Sequence, residues 1–198
     1  MSSAPRVGLV DHGMGNLPSV AKALESAGAD VSLVEDPAAM HSQDAICVPG
    51  QGIFGRCMEN LEKDGLSGDV LEWARSSKPY LGICLGMQIL FDRSEERGPV
   101  QGLGLVAGEV KRLQGDVRVP HMGWNKVGGA SSGRDEYFYF DHSYAAHPSD
   151  HTIVSGWCEH GDRFAAAIES GSTVAVQFHP EKSGRAGIEF LRGWVSKL

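Results

Sequence analysis

Apolar residues in the first half of the chain fall into short runs separated by stretches of helical spacing. Val7–Val10, Val31–Val34 and Asp44–Val48 are strand-length runs rich in β-branched residues. Between the first two, the segment from Leu17 to Ala27 sets Val20, Ala21, Leu24 and Ala27 on one helical face, and Gly28 is a natural stop. Further helices are predicted around Gly55–Asn60 and over Leu66–Arg75. A fourth strand enters through Lys78-Pro79-Tyr80-Leu81 and runs to Cys84, after which Met87-Gln88-Ile89-Leu90-Phe91 carries apolar residues at helical spacing. This alternation predicts an α/β fold with a mostly parallel sheet and helices on both faces.

The second half has a different rhythm. Gly104–Leu113, Lys126–Val127, Glu136–Phe140, Ile153–Cys158, Phe164–Ser170 and Ser172–Phe178 read as shorter strands joined by turns. They predict a smaller mixed or antiparallel extension before a last helix over Ala186–Val195. No repeat or low-complexity linker interrupts residues 1–198, so a single domain is expected.

Bulk composition narrows the function classes. With 41% hydrophobic and 22% charged residues, the chain reads as an ordinary globular protein. A net charge of −7 argues against nucleic acid as the main partner, which would need a basic face. The longest nearly apolar stretch, Tyr80 to Phe91, is too short to span a bilayer and contains Gln88. The N-terminus lacks a basic-then-apolar leader pattern, so a cytoplasmic protein without membrane attachment is expected. The four cysteines, Cys47, Cys57, Cys84 and Cys158, then read as reduced thiols. Cys and His show no metal-finger spacing, and neither a metal nor a cofactor is expected.

The densest chemical signal is Gly82-Ile83-Cys84-Leu85-Gly86, where a strand turns into a helix with glycine two residues to each side of a cysteine. That is the pattern of a nucleophile elbow carrying sulfur. A helix start behind the sulfur favours thiolate. A buried cysteine ending a core strand is the plain alternative. Near the other end, Thr173-Val174-Ala175-Val176-Gln177-Phe178-His179-Pro180-Glu181 is a strand closed by His-Pro-Glu. It puts His179 where parallel sheets carry their chemistry and Glu181 where it can hold the imidazole. Cysteine, histidine and carboxylate together form an activated thiol nucleophile. The first loop imitates a dinucleotide fingerprint, with Gly13 and Gly15 after a strand and Glu35 after the next. Pro18 stands where the third glycine is needed, which weighs against nucleotide binding.

Gly-Ile-Cys-Leu-Gly-Met-Gln with a distant Phe-His-Pro-Glu resembles the class I, triad-type glutamine amidotransferases. The segments Asp11–Leu17, Pro49-Gly50-Gln51-Gly52 and His121-Met122-Gly123-Trp124-Asn125 narrow the resemblance to glutaminase subunits of imidazole glycerol phosphate synthases, from about Val7 to Trp194. The resemblance implies a flavodoxin-like sheet and hydrolysis of glutamine by Cys84, His179 and Glu181. It implies an oxyanion hole from the Leu85 and Gln51 amides, on a strand that can present either a carbonyl or an N–H. Gln51 replaces the commoner small apolar residue there. Gly52, Gln88, Glu96, Ser143 and Tyr144 are implied to bind substrate. Glu96 would take the ammonium, although Ser94-Glu95-Glu96-Arg97 alone reads as a solvated turn. Asn16, Met122, Trp124, Asn125 and Lys182 are implied to face a (β/α)8-barrel cyclase subunit in a heterodimer. That partner would use the ammonia to make imidazole glycerol phosphate and aminoimidazole carboxamide ribotide in histidine biosynthesis. From residue patterns alone, Trp124 could equally cap the core from a loop. The rivals are a glutaminase subunit of an anthranilate or aminodeoxychorismate synthase, a cysteine hydrolase on the same kind of sheet, and a non-catalytic binding module.

Overall fold

The computed structural model describes residues 4–129 and 135–198. Strands β1 (Arg6–Val10), β2 (Asp30–Val34), β3 (Ala45–Val48) and β4 (Tyr80–Ile83) come from the first half. They alternate with α1 (Leu17–Ser26), α2 (Pro37–His41), α3 (Phe54–Lys63) and α4 (Leu66–Arg75). A single turn, α5 (Leu85–Gln88), follows. The remaining strands are β5 (Phe91–Ser94), β6 (Val100–Gln101), β7 (Val106–Arg112), β8 (His121–Val127), β9 (Glu136–His142), β10 (Tyr144–Pro148), β11 (Val154–His160), β12 (Asp162–Ser170) and β13 (Thr173–Val176), before α6 (Gly184–Val195).

The main sheet has the order β11-β12-β13-β4-β3-β1-β2. It is parallel from β13 through β2 and antiparallel at the β11–β12–β13 end. Two apolar cores lie against it. One gathers Val20 and Leu24 of α1 with Leu191 and Trp194 of α6 and the aromatics Phe138, Phe140 and Phe178. The other gathers Phe54 and Leu61 of α3 with Val70 and Trp73 of α4. The expected parallel sheet with helices on both faces is therefore present. So is the extension: a mixed sheet of order β10-β7-β5-β6 and a β8–β9 hairpin.

Several local expectations are corrected. The helix expected after Cys84 is only the one turn of α5, and Phe91 already begins β5. Every residue from Tyr80 to Phe91 is buried, so no polar face remains to separate a helical period from a strand. The His-Met-Gly-Trp-Asn segment is not a loop but most of β8. Its inward positions include His121 and Asn125, so the usual apolar alternation is hidden. Helix α2 and strands β5, β6 and β10 were not anticipated. Helix α2 does carry a local start signal, since Asp36 Oδ1 accepts from Ala39 N–H at 2.8 Å and Pro37 opens the turn. Among the described residues, no helix is long and apolar enough to cross a membrane.

In register, Gly82 of β4 lies opposite Val48 of β3, and Ile83 opposite Val176 of β13. The C-terminal ends of these three strands are therefore side by side. The segments that leave them carry Gln51, Cys84 and His179.

Candidate active site

Cys84 leaves β4 with φ 53° and ψ −104°, a backbone state few non-glycine residues adopt. Such a state costs about 1–3 kcal/mol and persists only where its surroundings impose it. Here the Cys84 N–H donates to the Val176 carbonyl at 2.7 Å, and its carbonyl accepts from Met87 and Gln88 N–H at 3.0 and 3.1 Å. Both flanking glycines are needed for close backbone approach. A Cβ on Gly82 would lie 2.5 Å from the Gly86 carbonyl oxygen, and one on Gly86 would overlap the Val48 carbonyl. The elbow expected from sequence is thus built by packing that excludes side chains on either side.

His179 and Glu181 follow β13. His179 Nδ1–H donates to Glu181 Oε1 at 2.7 Å, with both side chains only 3% exposed. Among the described residues, His179 Nε2 and Glu181 Oε2 have no hydrogen-bond partner. The Nε2 edge is therefore available for proton transfer. Burial opposes charge on this ring, but negative charge on Cys84 and Glu181 outweighs it and raises the His179 pKa to about 10. The segment is anchored from β9: the His179 N–H donates to the Tyr139 carbonyl at 2.8 Å, and Ser183 Oγ bridges the His179 carbonyl and the Tyr139 N–H. The other three thiols sit in different surroundings. Burial pushes Cys57 and Cys158 up to about 12 and Cys47 higher still.

A cleft of about 230 Å³ opens on Cys84 and is lined by Gln51, Gly52, Leu85, Gln88, Glu96, Ser143 and Tyr144, together with Asp141 and His142. All the substrate residues expected from sequence thus meet in one place. Glu96 is not a free surface charge; its Oε2 accepts from the Phe54 N–H at the start of α3, at 2.8 Å. The strand end expected to supply the second oxyanion donor has its Gly50 carbonyl turned towards Leu85. The Leu85 N–H donates to that carbonyl at 3.4 Å.

The profile of the glutamine amidotransferase class-I family matches residues 8–197. The chain belongs to this family. It is 45% identical over 197 residues to the imidazole glycerol phosphate synthase subunit HisH of Moorella thermoacetica, spanning 95% of this chain and 93% of that one. It is 43% identical to the HisH subunit of Methanothermobacter thermautotrophicus, spanning 96% and 97% of the two chains. It also matches the Arabidopsis thaliana chloroplastic imidazole glycerol phosphate synthase hisHF at 42% identity, covering 34% of that longer chain. A solved glutamine amidotransferase shares the fold with a TM-score of 0.77 at 17% identity, covering 97% of this chain and 99% of that one. Within the class-I amidotransferases, the chain is a glutaminase subunit of the HisH type, belonging to histidine biosynthesis.

A row of hydrogen bonds behind Cys84 begins at Gln177, to which the sequence reading assigns no role. Gln177 Nε2 donates to Cys84 Sγ at 3.5 Å, and Gln177 Oε1 accepts from Gln88 Nε2 at 2.9 Å. Gln88 Nε2 also donates to the Tyr144 carbonyl at 2.8 Å. That carbonyl accepts from His142 Nδ1–H, His142 Nε2 accepts from His121 Nδ1–H at 3.0 Å, and His121 Nε2 accepts from Asn125 Nδ2 at 3.1 Å. A carbonyl only accepts, so this order assigns each ring's tautomer. Burial lowers the pKa of His121 to about 4 and of His142 to about 3, and both stay neutral. The signal for this row was polar residues at strand positions that alternation assigns to the interior.

Of the residues expected at a partner face, Met122, Trp124 and Asn16 are exposed and Lys182 is half-buried. Met122 and Trp124 are 62% and 57% exposed on the outer face of β8, with Tyr139 opposite Trp124 in register. Asn16 is exposed but also caps α1, its Oδ1 accepting from the Ser19 N–H at 3.3 Å. Asn125 instead points inward to His121 and to the Glu159 carbonyl. Lys182 Nζ lies 3.5 Å from Asp141 Oδ2 and 5.8 Å from the centre of the Tyr139 ring.

Proposed function

We propose that Cys84 attacks the side-chain amide carbon of L-glutamine in the cleft. His179 takes the thiol proton through Nε2 and returns it to the departing nitrogen, so ammonia leaves and a γ-glutamyl thioester remains. Water, deprotonated by the same nitrogen, releases glutamate and restores the thiol. Glu181 orients the ring and supports its charged form. Leu85 N–H is one oxyanion donor and Gln51 N–H the other once the Gly50–Gln51 peptide has turned over. Gly52, Gln88, Glu96, Ser143 and Tyr144 shape the glutamine site. The observation that carries this reading is an imposed Cys84 elbow lining the cleft, next to the buried His179–Glu181 pair.

The ammonia passes to a cyclase subunit with a (β/α)8 barrel, docked as a heterodimer on the face that carries Met122, Trp124 and Lys182. That partner makes imidazole glycerol phosphate and aminoimidazole carboxamide ribotide. The joined hisHF name of the Arabidopsis relative supports the pairing. Residues 1–198 act as one domain, in the cytoplasm. The test is Cys84→Ala in the complex. Glutamine-dependent synthesis should vanish while synthesis from added ammonium salt persists; retained glutamine hydrolysis would overturn the assignment.

A further inference from the structure

The strand end carrying the second oxyanion donor is tied down three times. The Pro49 carbonyl accepts from buried His12 Nε2–H, and the Gly50 carbonyl from the Leu85 N–H. The Gln51 side chain then reaches across the cleft wall, where Nε2 donates to Asp141 Oδ2 at 2.6 Å. A small apolar residue at position 51 could not make this third tether.

The tether bears on the peptide turn. Presenting the Gln51 N–H in place of the Gly50 carbonyl requires rotation about the N–Cα bond of Gln51. Among the described residues, only Cys84 and Arg97 are non-glycine residues with positive φ, so Gln51 starts from ordinary φ. A half-turn drives it towards positive φ unless its Cα and side chain rotate as well. The bond to Asp141 holds the side chain and opposes that relief. The same Asp141 oxygen, Oδ2, lies 3.5 Å from Lys182 Nζ, and Lys182 also lies against Tyr139. Tyr139 in turn meets the exposed Trp124 edge-on at 6.2 Å.

We propose that Asp141 is a positioning residue: through the Gln51 carboxamide it keeps the Gly50–Gln51 peptide carbonyl-in and holds down glutamine hydrolysis by the chain alone. The inference rests on Cys84 being the glutaminase nucleophile and Gln51 N–H the second donor. The latch lies between the oxyanion strand and the Trp124 face, with Lys182 as the outer contact of its carboxylate.

The experiment measures glutamate production by the isolated full chain for Asp141→Ala, Asp141→Asn, Gln51→Val and the Asp141→Ala/Gln51→Val double variant. Alkylation of Cys84 by iodoacetamide is followed in parallel, since that displacement forms no oxyanion. Losing a charge-assisted hydrogen bond predicts a rise in kcat of roughly ten- to a hundredfold for Asp141→Ala and Gln51→Val, with less change in KM. The double variant should match either single one. Asp141→Asn, which keeps an acceptor oxygen but not the charge, should rise clearly less than Asp141→Ala, and alkylation rates should not change. Unchanged kcat in both single variants overturns the latch, as do additive effects or an Asn variant that behaves like Ala. A rise in alkylation that parallels turnover also overturns it, by placing the effect on the thiol. Cys84→Ala runs alongside; if it still hydrolyses glutamine, the site assignment fails, not the latch.

Discussion

Cys84 and the Pro49–Gln51 segment leave adjacent strands of the same sheet, yet they are held in different ways. At the end of β4, Cys84 is set by backbone packing: two glycines that admit no Cβ and three backbone hydrogen bonds. At the end of β3, residues 49–51 are set by polar contacts to His12, Leu85 and Asp141. Close-packed backbone has one arrangement, whereas polar contacts can be exchanged. Cys84 is therefore fixed by packing, while the Pro49–Gln51 segment is held by contacts that can be exchanged. An enzyme that releases ammonia for another subunit gains from this division, because hydrolysis without an acceptor is wasted.

The comparison breaks first if the elbow is dispensable. Cys84→Ala should lower glutamine hydrolysis by at least about 10⁴-fold, the scale on which lost triad nucleophiles are felt. Glu181→Gln should cost less than His179→Ala, because the carboxylate orients while the imidazole moves the proton. Steady-state rates in one complex decide this, and equal losses would give Glu181 a larger role. Gly86→Ala should damage both stability and turnover, by about 3 kcal/mol in urea unfolding, since its Cβ overlaps the Val48 carbonyl. A soluble Gly86→Ala protein with wild-type stability would mean the elbow is not held by packing.

The oxyanion side is sharpened by Trp124→Ala. If the β8 face is where a partner docks, loss of this exposed ring should weaken association by about 2 kcal/mol, as central aromatic anchors do. Titration of labelled cyclase subunit measures this. The iodoacetamide reactivity of Cys84 should not move. Unchanged affinity, with an unchanged ratio of glutamine hydrolysed to product made, would remove Trp124 from the interface.

The smallest effect is one of pH. His121 and His142 are held neutral in the fold, below their usual pKa because of burial, so the unfolded chain binds more protons than the native one. The stability involved is fully present above about 6.5, the ordinary histidine value, and is lost as pH falls towards 4 and 3. The urea midpoint should decline between pH 7 and 5, before most carboxylates titrate. A flat midpoint there would mean the row from Asn125 to Tyr144 does not support the packed side of the site.

Much of this was legible in the sequence where local chemistry and chain direction agree. The elbow was readable because glycine, cysteine and glycine fell at a strand-to-helix change, and His179 because Pro180 closes a β-branched run. The parallel half of the sheet was readable because its connecting helices have clear apolar faces. Strand β8 was hidden because its interior positions hold His121 and Asn125, and β5 because the whole stretch around it is buried. Gln177 and Asp141 passed unnoticed for a related reason: each touches a partner far along the chain. Gln51 and Asp141 are 90 residues apart, and only the turn of β9 against the oxyanion strand brings them together.

In the lone chain the Cys84 elbow is formed, whereas the Gly50 carbonyl still faces Leu85. That difference is tested most directly by measuring glutamate production and Cys84 alkylation on the same sample, alone and then with the proposed cyclase subunit. The account predicts that glutamine hydrolysis rises by roughly two to three orders of magnitude, the worth of one oxyanion donor, while alkylation changes little. A lone chain that already hydrolyses glutamine at the full rate would contradict it, as would two rates that rise together.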